Sequence, residues 1–385
     1  MRVLHVITGL EAGGAEQWLR LLLRHGTAEA DVLCLTNPGV VADALRADGV
    51  RVTDLGMRGN RDLAAIPRLV RHVRRGRYDL VHTHLYRAQV YGALAARLAG
   101  ARTVVSTEHS LNDRLIEGRP TDRPGVRRLY VAAARLTTRV VAVSEPVAAR
   151  LVAWGVPEEK VVVVPVGIDA AAFAFDAAAR REVRAELGLP ADGVVVGGVG
   201  RLVAPKRFDV LLRAVAALPD VAVLLVGDGP AREPLAALAT ELGMVGRVRF
   251  AGQRLDVARV LSAMDVFASP SPEETFGVAL LEALAAGLPV AYVAAPALAG
   301  RAPSSHVRRV EPTAEAFAAA VAELARGTDR GRRATATPAG FADYDVPTLA
   351  RRMDRIYEEC VGRRRRAGGR GAGGGGMADA PGVPR

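Results

Sequence analysis

The sequence predicts an α/β protein of two doubly wound, parallel-sheet domains facing a central cleft. Short apolar runs of strand length alternate with stretches of helical apolar spacing, the pattern of a parallel sheet covered by helices on both faces. The alternation comes in two series, separated by a polar, alanine-rich stretch after Asp169. The chain has 385 residues, 50% hydrophobic and 24% charged, which is length and apolar content enough for two such cores.

The first series begins with a strand over residues 3–7, a Gly-containing loop and a helix over 15–23. Further strands are predicted at 30–35, 50–54, 80–82, 103–106, 140–143 and 161–164, with helices between most of them. The stretch after Asp169 reads as a linker. The second series has strands at 194–199, 221–226, 248–250, 266–268 and 290–293 and helices at 207–218, 230–242, 257–264 and 277–286. A last helical pattern over 343–360 places Leu349, Met353, Ile356 and Tyr357 at core spacing with no strand after it, so it should pack across the domains. The expected division is a first domain over 1–167, a second over 168–342, a helix over 343–362 and a disordered Arg/Gly-rich tail over 363–385.

Composition narrows the function classes. Cys34 and Cys360 lie far apart with no metal-ligand spacing, which indicates neither a zinc site nor a disulfide framework and suits a reducing cytoplasm. No apolar run reaches the roughly 18 residues of a membrane span. Residues 1–10 read as a short strand carrying Arg2 and His5, not as a signal peptide, so a cytoplasmic protein is expected. The net charge of +11 is unevenly placed: residues 1–165 hold 24 Lys+Arg against 16 Asp+Glu (+8), 166–360 hold 22 against 24 (−2), and 361–385 hold 6 against 1 (+5). Arg68, Arg71, Arg74, Arg75 and Arg77 crowd one segment of the basic first half, a surface open either to solvent or to phosphate, on a substrate or an anionic leaflet.

The chemistry is expected in the loops at the strand ends of the cleft. Gly13-Gly14-Ala15-Glu16 brings backbone amides to a helix N-terminus, where an anion can approach closely. In the second domain Gly197-Gly198-Val199-Gly200-Arg201-Leu202 ends the first strand, and Lys206 follows five residues after Arg201. Fixed cations beside such a loop stabilise the charge that develops on a departing diphosphate. Of the 52 basic residues only Lys160 and Lys206 are lysines, so a compact point charge at this loop departs from the chain's own habit. Glu274 precedes a helix opened by Phe276-Gly277, and Glu282 lies eight positions further on among apolar neighbours, where a charge is costly unless paired or bound to a ligand. Carboxylates accept hydrogen bonds from vicinal hydroxyls, which suits ribose and hexose rings.

The spacing Glu274-x7-Glu282 with Phe276-Gly277 and Gly287-x-Pro289 resembles the retaining family 4 glycosyltransferases of GT-B architecture, built from two Rossmann-like domains. The resemblance extends over Gly13-Gly14-Ala15-Glu16, Ser106 to His109, Val141 to Ser144, Val164 to Asp169, Gly200-Arg201-Leu202 with Lys206 and Asp209, and Val226 to Pro230. It implies that Arg201 and Lys206 bind the diphosphate of a UDP- or GDP-sugar, Glu282 the ribose and Glu274 the hexose, with Phe276 and Gly277 beside them. Gly13 and Gly14 would close on the phosphates, His109 would face the transferred sugar, and Glu16 and His84 would border the acceptor. It further implies metal-independent transfer with retention, in which the leaving phosphate oxygen takes the acceptor's proton; Glu274 and Glu282 are then not an acid and base pair of the glycosidase kind. His82 and His84, at strand spacing, read as ordinary structural or substrate-contact histidines and not as a metal pair. Many relatives carry a Gly-Gly-Glu segment after the last strand; here residues 291–305 have a single Gly300, with Ser304 and Ser305 as candidate substitutes.

The expected activity is hexose transfer in cell-envelope polysaccharide, glycolipid or secondary-metabolite assembly, with a lipid-linked or phosphorylated acceptor and peripheral membrane contact through the basic half. A sugar-nucleotide epimerase or phosphorylase on the same frame is the alternative; donor consumption without an acceptor product, or phosphate dependence, would mark it. A nucleic-acid module is the remote alternative, disfavoured because the chain lacks aromatic stacking platforms and a reading helix.

Overall fold

In the first half, β1 (Arg2–Ile7), β2 (Glu29–Cys34), β3 (Arg51–Asp54), β4 (Leu80–His84), β5 (Val104–Glu108), β8 (Arg139–Ala142) and β9 (Val161–Val163) form one parallel sheet. A small antiparallel hairpin, β6 (Leu115–Ile116) with β7 (Arg119–Pro120), interrupts the series. The sheet order is 3-2-1-4-5-8-9, with α1 (Gly14–His25), α2 (Gly39–Ala47), α3 (Ala65–Gly76), α4 (Tyr86–Leu98), α5 (Pro124–Arg135) and α6 (Glu145–Trp154) between strands. The computed structural model describes residues 1–111, 114–300, 305–327 and 341–369, with side chains through 362.

The second sheet is also parallel, in the order 12-11-10-13-14-15 from β10 (Val194–Val199), β11 (Val221–Val226), β12 (Val248–Phe250), β13 (Val266–Ser269), β14 (Val290–Tyr292) and β15 (Val307–Arg309). Its helices are α7 (Ala177–Glu186), α8 (Phe208–Ala216), α9 (Arg232–Glu241), α10 (Val257–Ser262), α11 (Val278–Ala285) and α12 (Ala314–Arg326). The order reverses between β1 and β4 in one sheet and between β10 and β13 in the other. Ligands of open α/β sheets bind at such switch points, and the loops of interest leave from β1, β10 and β13.

Three sequence expectations change. The segment read as a linker contains α7, whose buried face is Ala179, Arg180, Val183 and Arg184. Two of those four residues are arginines, so apolar spacing does not reveal it. Arg180 and Arg184 each donate to one oxygen of buried Asp265 at 2.7 Å, and the Val195 amide donates to the same carboxylate at 2.8 Å. The β6–β7 hairpin, strand β15 and helix α12 were not predicted; in β15, Val307 and Arg308 are only partly buried and Arg309 is exposed. The last helix, α13 (Val346–Gly369), continues into the segment read as a disordered tail, the rest of which lies outside the described residues.

The α13 helix returns from the second half to pack on the first. Leu349, Met353, Ile356, Tyr357 and Cys360 join Val3, Trp18, Leu22 and Leu80 in one core. Asp354 accepts hydrogen bonds from the Thr27 amide at 2.9 Å and its hydroxyl at 2.8 Å.

Candidate active site

The cleft begins where two helix N-termini meet. At α1, Gly13 is the N-cap in extended conformation. A β-carbon added to Gly14 would lie 3.8 Å from Val278 Cγ2, at the start of α11. The N-cap of α11 is Gly277, at φ +99°, a left-handed conformation that side chains rarely adopt, and an added β-carbon there would lie 3.2 Å from that of Ala295. Ser144, which caps α6, donates to the Thr275 carbonyl at 2.7 Å, and Arg114 pairs with Glu273 at 3.0 Å, so the first half touches the second-half loop that carries Glu274. A cavity of about 360 Å³ opens beside it, lined in part by Pro146 and Arg150 from the first half and Glu274, Tyr292 and Pro296 from the second.

Two residues assigned from sequence to different parts of a ligand are joined here: Lys206 Nζ lies 2.6 Å from Glu274 Oε1. Their side chains are 29% and 12% exposed, open enough to the cleft for a ligand to compete for either. Arg201 is exposed, and among the described residues its guanidinium has no hydrogen-bond partner; its charge acts on Glu16. Glu16 folds back over Gly13, and burial raises its carboxyl to about 7 despite that opposing charge. Glu282 sits half-buried on α11; its carboxyl accepts no hydrogen bond from a described residue and is raised by burial to about 7. An unpaired carboxyl in such surroundings gains from a ligand that brings hydroxyl donors.

Other assigned positions lie differently. The Phe276 ring is in the core, edge-on to Tyr344 at 5.3 Å between centroids, so it supports the loop and does not line the cleft. The loop after β14 folds onto it: the Ala297 amide donates to the Phe276 carbonyl and the Tyr344 hydroxyl to the Ala297 carbonyl, both at 2.9 Å. Ser305 is exposed with its hydroxyl 3.0 Å from His306 Nδ1; Ser304 lies outside the described residues.

His109, at the end of β5, is 9% exposed. His84 is not at the acceptor surface as expected but fully buried behind it, with Nδ1 3.3 Å from His109 Nε2. Sequence reasoning missed His5, whose Nδ1 is 3.0 Å from His84 Nε2. The signal was present in a histidine on each of two strands, but pairing β1 with β4 was needed to join them. His82 packs against His84 but bonds elsewhere, to the Tyr357 hydroxyl at 2.6 Å and the Thr107 hydroxyl at 2.7 Å. His5, His82 and His84 bring ligand nitrogens within 4.8 Å of one another, a spacing that admits a cation. A cation there would have to displace the hydrogen bonds that engage both His82 nitrogens and the one that joins His5 Nδ1 to His84 Nε2.

Residues 12–172 match the family described as Glycosyltransferase Family 4, and residues 193–326 match Glycosyl transferases group 1. The chain belongs to the family 4 glycosyltransferases. It is 50% identical over 107 residues, 28% of this chain and 32% of the relative, to the lipopolysaccharide core biosynthesis glycosyltransferase LpsE of Rhizobium meliloti. It is 35% identical over 235 residues, 57% of this chain and 53% of the relative, to a D-inositol 3-phosphate glycosyltransferase of Mycobacterium leprae. The chain thus spans about a third of the first and about half of the second. The fold is that of Anabaena HepE crystallised with UDP-glucose, with a TM-score of 0.80 at 23% identity over 94% of this chain and 100% of that one. WaaG, a glycosyltransferase involved in lipopolysaccharide biosynthesis, aligns with a TM-score of 0.63 at 18% identity over 97% of this chain and 100% of that one. The architecture is therefore GT-B.

Proposed function

We propose that this chain transfers a hexose from a nucleoside-diphosphate sugar to an acceptor hydroxyl, with retention at the anomeric carbon. The observation that carries the reading is the Lys206–Glu274 pair, 2.6 Å apart, at the mouth of α11. A donor seated there takes its diphosphate to Lys206, Arg201 and the α11 N-terminus, while hexose hydroxyls donate to Glu274 and ribose hydroxyls to Glu282. Lys206 then exchanges a carboxylate for a phosphate and Glu274 an ammonium for hydroxyl donors, so neither ion is left without a polar partner. The bond from the anomeric carbon to the phosphate oxygen breaks with its electrons passing to the diphosphate, which the cations stabilise as charge develops. The acceptor oxygen attacks from the same face and its proton passes to the leaving phosphate oxygen. On this reading no metal is required, since two cations and a helix N-terminus supply the positive charge.

The UDP-glucose complex of HepE favours UDP over GDP as the nucleotide. The relatives named for lipopolysaccharide core and inositol 3-phosphate favour a saccharide or polyol acceptor carrying phosphate, assembled at the cell envelope. The +8 charge of residues 1–165 suits such an acceptor and a peripheral cytoplasmic position at an anionic leaflet. No helix among the described residues is long and apolar enough to cross a membrane.

The test is a panel of UDP- and GDP-hexoses incubated with phosphorylated and lipid-linked acceptors and read by mass spectrometry. A product heavier than its acceptor by one hexose supports the proposal. Donor conversion without an acceptor product would point to the epimerase or phosphorylase reading.

A further inference from the structure

We infer that His5 and His84 are positioning residues for His109, three imidazoles in a hydrogen-bonded row that ties the nitrogen carrying the His109 proton to the tautomers of His84 and His5. The inference rests on the proposed function for His109's contact with the sugar; the row itself is a property of the fold. It runs from β1 through β4 to the end of β5, with contacts of 3.0 Å from His5 Nδ1 to His84 Nε2 and 3.3 Å from His84 Nδ1 to His109 Nε2. The rings of His84 and His5 stack 5.3 Å apart and those of His84 and His109 5.6 Å apart, both within 30° of parallel. His5 is 1% exposed, His84 0% and His109 9%, so the row is dry except at its cleft end.

A neutral imidazole has one N–H donor and one bare acceptor nitrogen, and each contact in the row needs one of each. The three tautomers are therefore read together. If His5 Nδ1 donates, so does His84 Nδ1, and His109 is left with its proton on Nδ1. If His109 Nε2 donates, the sense of the whole row reverses and His109 Nδ1 is bare. Changing the proton position at the cleft then requires changing it at His5, two rings away.

The surroundings keep the rings neutral. The groups packed against them are His82 of β4, with its ring 4.0 Å from that of His84 between centroids, and the Tyr357 hydroxyl of α13, which is committed to His82. Neither brings a carboxylate into contact with the row. Burial lowers His5 and His109 to about 3 and His84 well below its ordinary value, so none charges in the physiological range. His109 thus meets the cleft as a directed dipole, in a sense set from behind, where an isolated histidine would carry a tautomer mixture.

The chain contains seven histidines, few enough to follow individually by long-range proton–nitrogen correlation in histidine-labelled full-length protein. The expected wild-type result is a single tautomer for each of His5, His84 and His109, unchanged between pH 6 and 8. His84→Phe keeps a ring in the core but removes both contacts, and should turn His109 into a tautomer mixture. His5→Phe should do the same at one remove, while His5→Asn, whose amide can donate and accept near the Nδ1 position, should restore the single form. Hexose transfer should fall on the order of tenfold to a hundredfold in kcat for His84→Phe with little change in donor KM, as for partners that orient a functional histidine. An unchanged His109 pattern in folded His5→Phe and His84→Phe, or a His109 that titrates near pH 6.5, would overturn the inference. So would zinc-induced shifts of His5, His82 and His84 that leave His109 untouched, which would make the cluster a cation site. The spectra do not depend on turnover: a fixed tautomer with no product from any donor would defeat the proposed function and leave the row standing.

Discussion

Replacing Lys206 with alanine separates a catalytic role from a structural one. The Nζ of Lys206 lies 2.6 Å from Glu274 Oε1, which in an effective dielectric of about 20 is a gross attraction of about 6 kcal/mol. Desolvation and side-chain ordering offset most of it. With the lysine 29% and the glutamate 12% exposed, a net stabilisation of about 1 kcal/mol remains. Loss of the pair should therefore lower Tm by only about 2–4 °C for a domain of this size. Transfer should suffer far more, because the charge on the departing diphosphate loses a fixed cation; removing one such donor costs on the order of 10² to 10³ in kcat. The assay is nucleoside-diphosphate release in the presence of acceptor, with differential scanning fluorimetry on the same sample. Lys206→Arg should recover only part of the rate, since a planar fork cannot place a point charge in the same spot. An alanine variant retaining a third or more of wild-type kcat would refute the reasoning, and so would a loss of rate matched by gross unfolding.

Two further outcomes follow from buried charge. Asp265 is 1% exposed and holds Arg180 and Arg184, so Asp265→Ala leaves two buried guanidinium groups without their counter-ion and should cost about 3–5 kcal/mol. Both tryptophans, Trp18 and Trp154, lie in the first half, so this loss should be read by far-UV circular dichroism during urea unfolding; a change under about 1 kcal/mol would contradict the assignment. Burial raises Glu16, Glu108 and Glu282 each to about 7 from the model-peptide value of 4.5. Between those values the folded chain binds protons that the unfolded chain has released, so the contribution of these groups to stability is greatest below about pH 4.5 and declines as pH rises through about 7. Tm should fall from pH 6 to pH 8, less steeply in Glu282→Gln, and an equal slope in that variant would show that Glu282 does not titrate in this range.

The sheets were legible because strands buried on both faces need unbroken apolar runs, and 194–199 and 221–226 match β10 and β11 residue for residue. The strand ends were less so. β4 runs on to His84 and β5 to Glu108, polar residues that apolar counting leaves out although both strands are buried throughout. For α7 the difficulty was chemical, since arginines held by Asp265 occupy a face that the pattern expects to be apolar. Residue type and loop position singled out Arg201, Lys206, Glu274 and Glu282 as candidates, but not that Lys206 and Glu274 pair. The histidine row was invisible because its contacts span 79 and 25 residues and arise only from the registers that set His5 beside His82 in β1 and β4 and His84 beside Thr107 in β4 and β5.

The central claim is that a nucleoside diphosphate sits on Arg201, Lys206 and Glu282 between the two facing helix N-termini. Calorimetric titration of UDP and GDP into the full chain and into Glu282→Ala tests it directly. The account predicts saturable binding of one nucleotide by the wild type and a Kd raised on the order of tenfold to a hundredfold in the variant, the loss expected when hydrogen bonds to a charged group are removed. Equal affinity in the two proteins, or stabilisation by single-stranded nucleic acid with no response to either nucleotide, would contradict it.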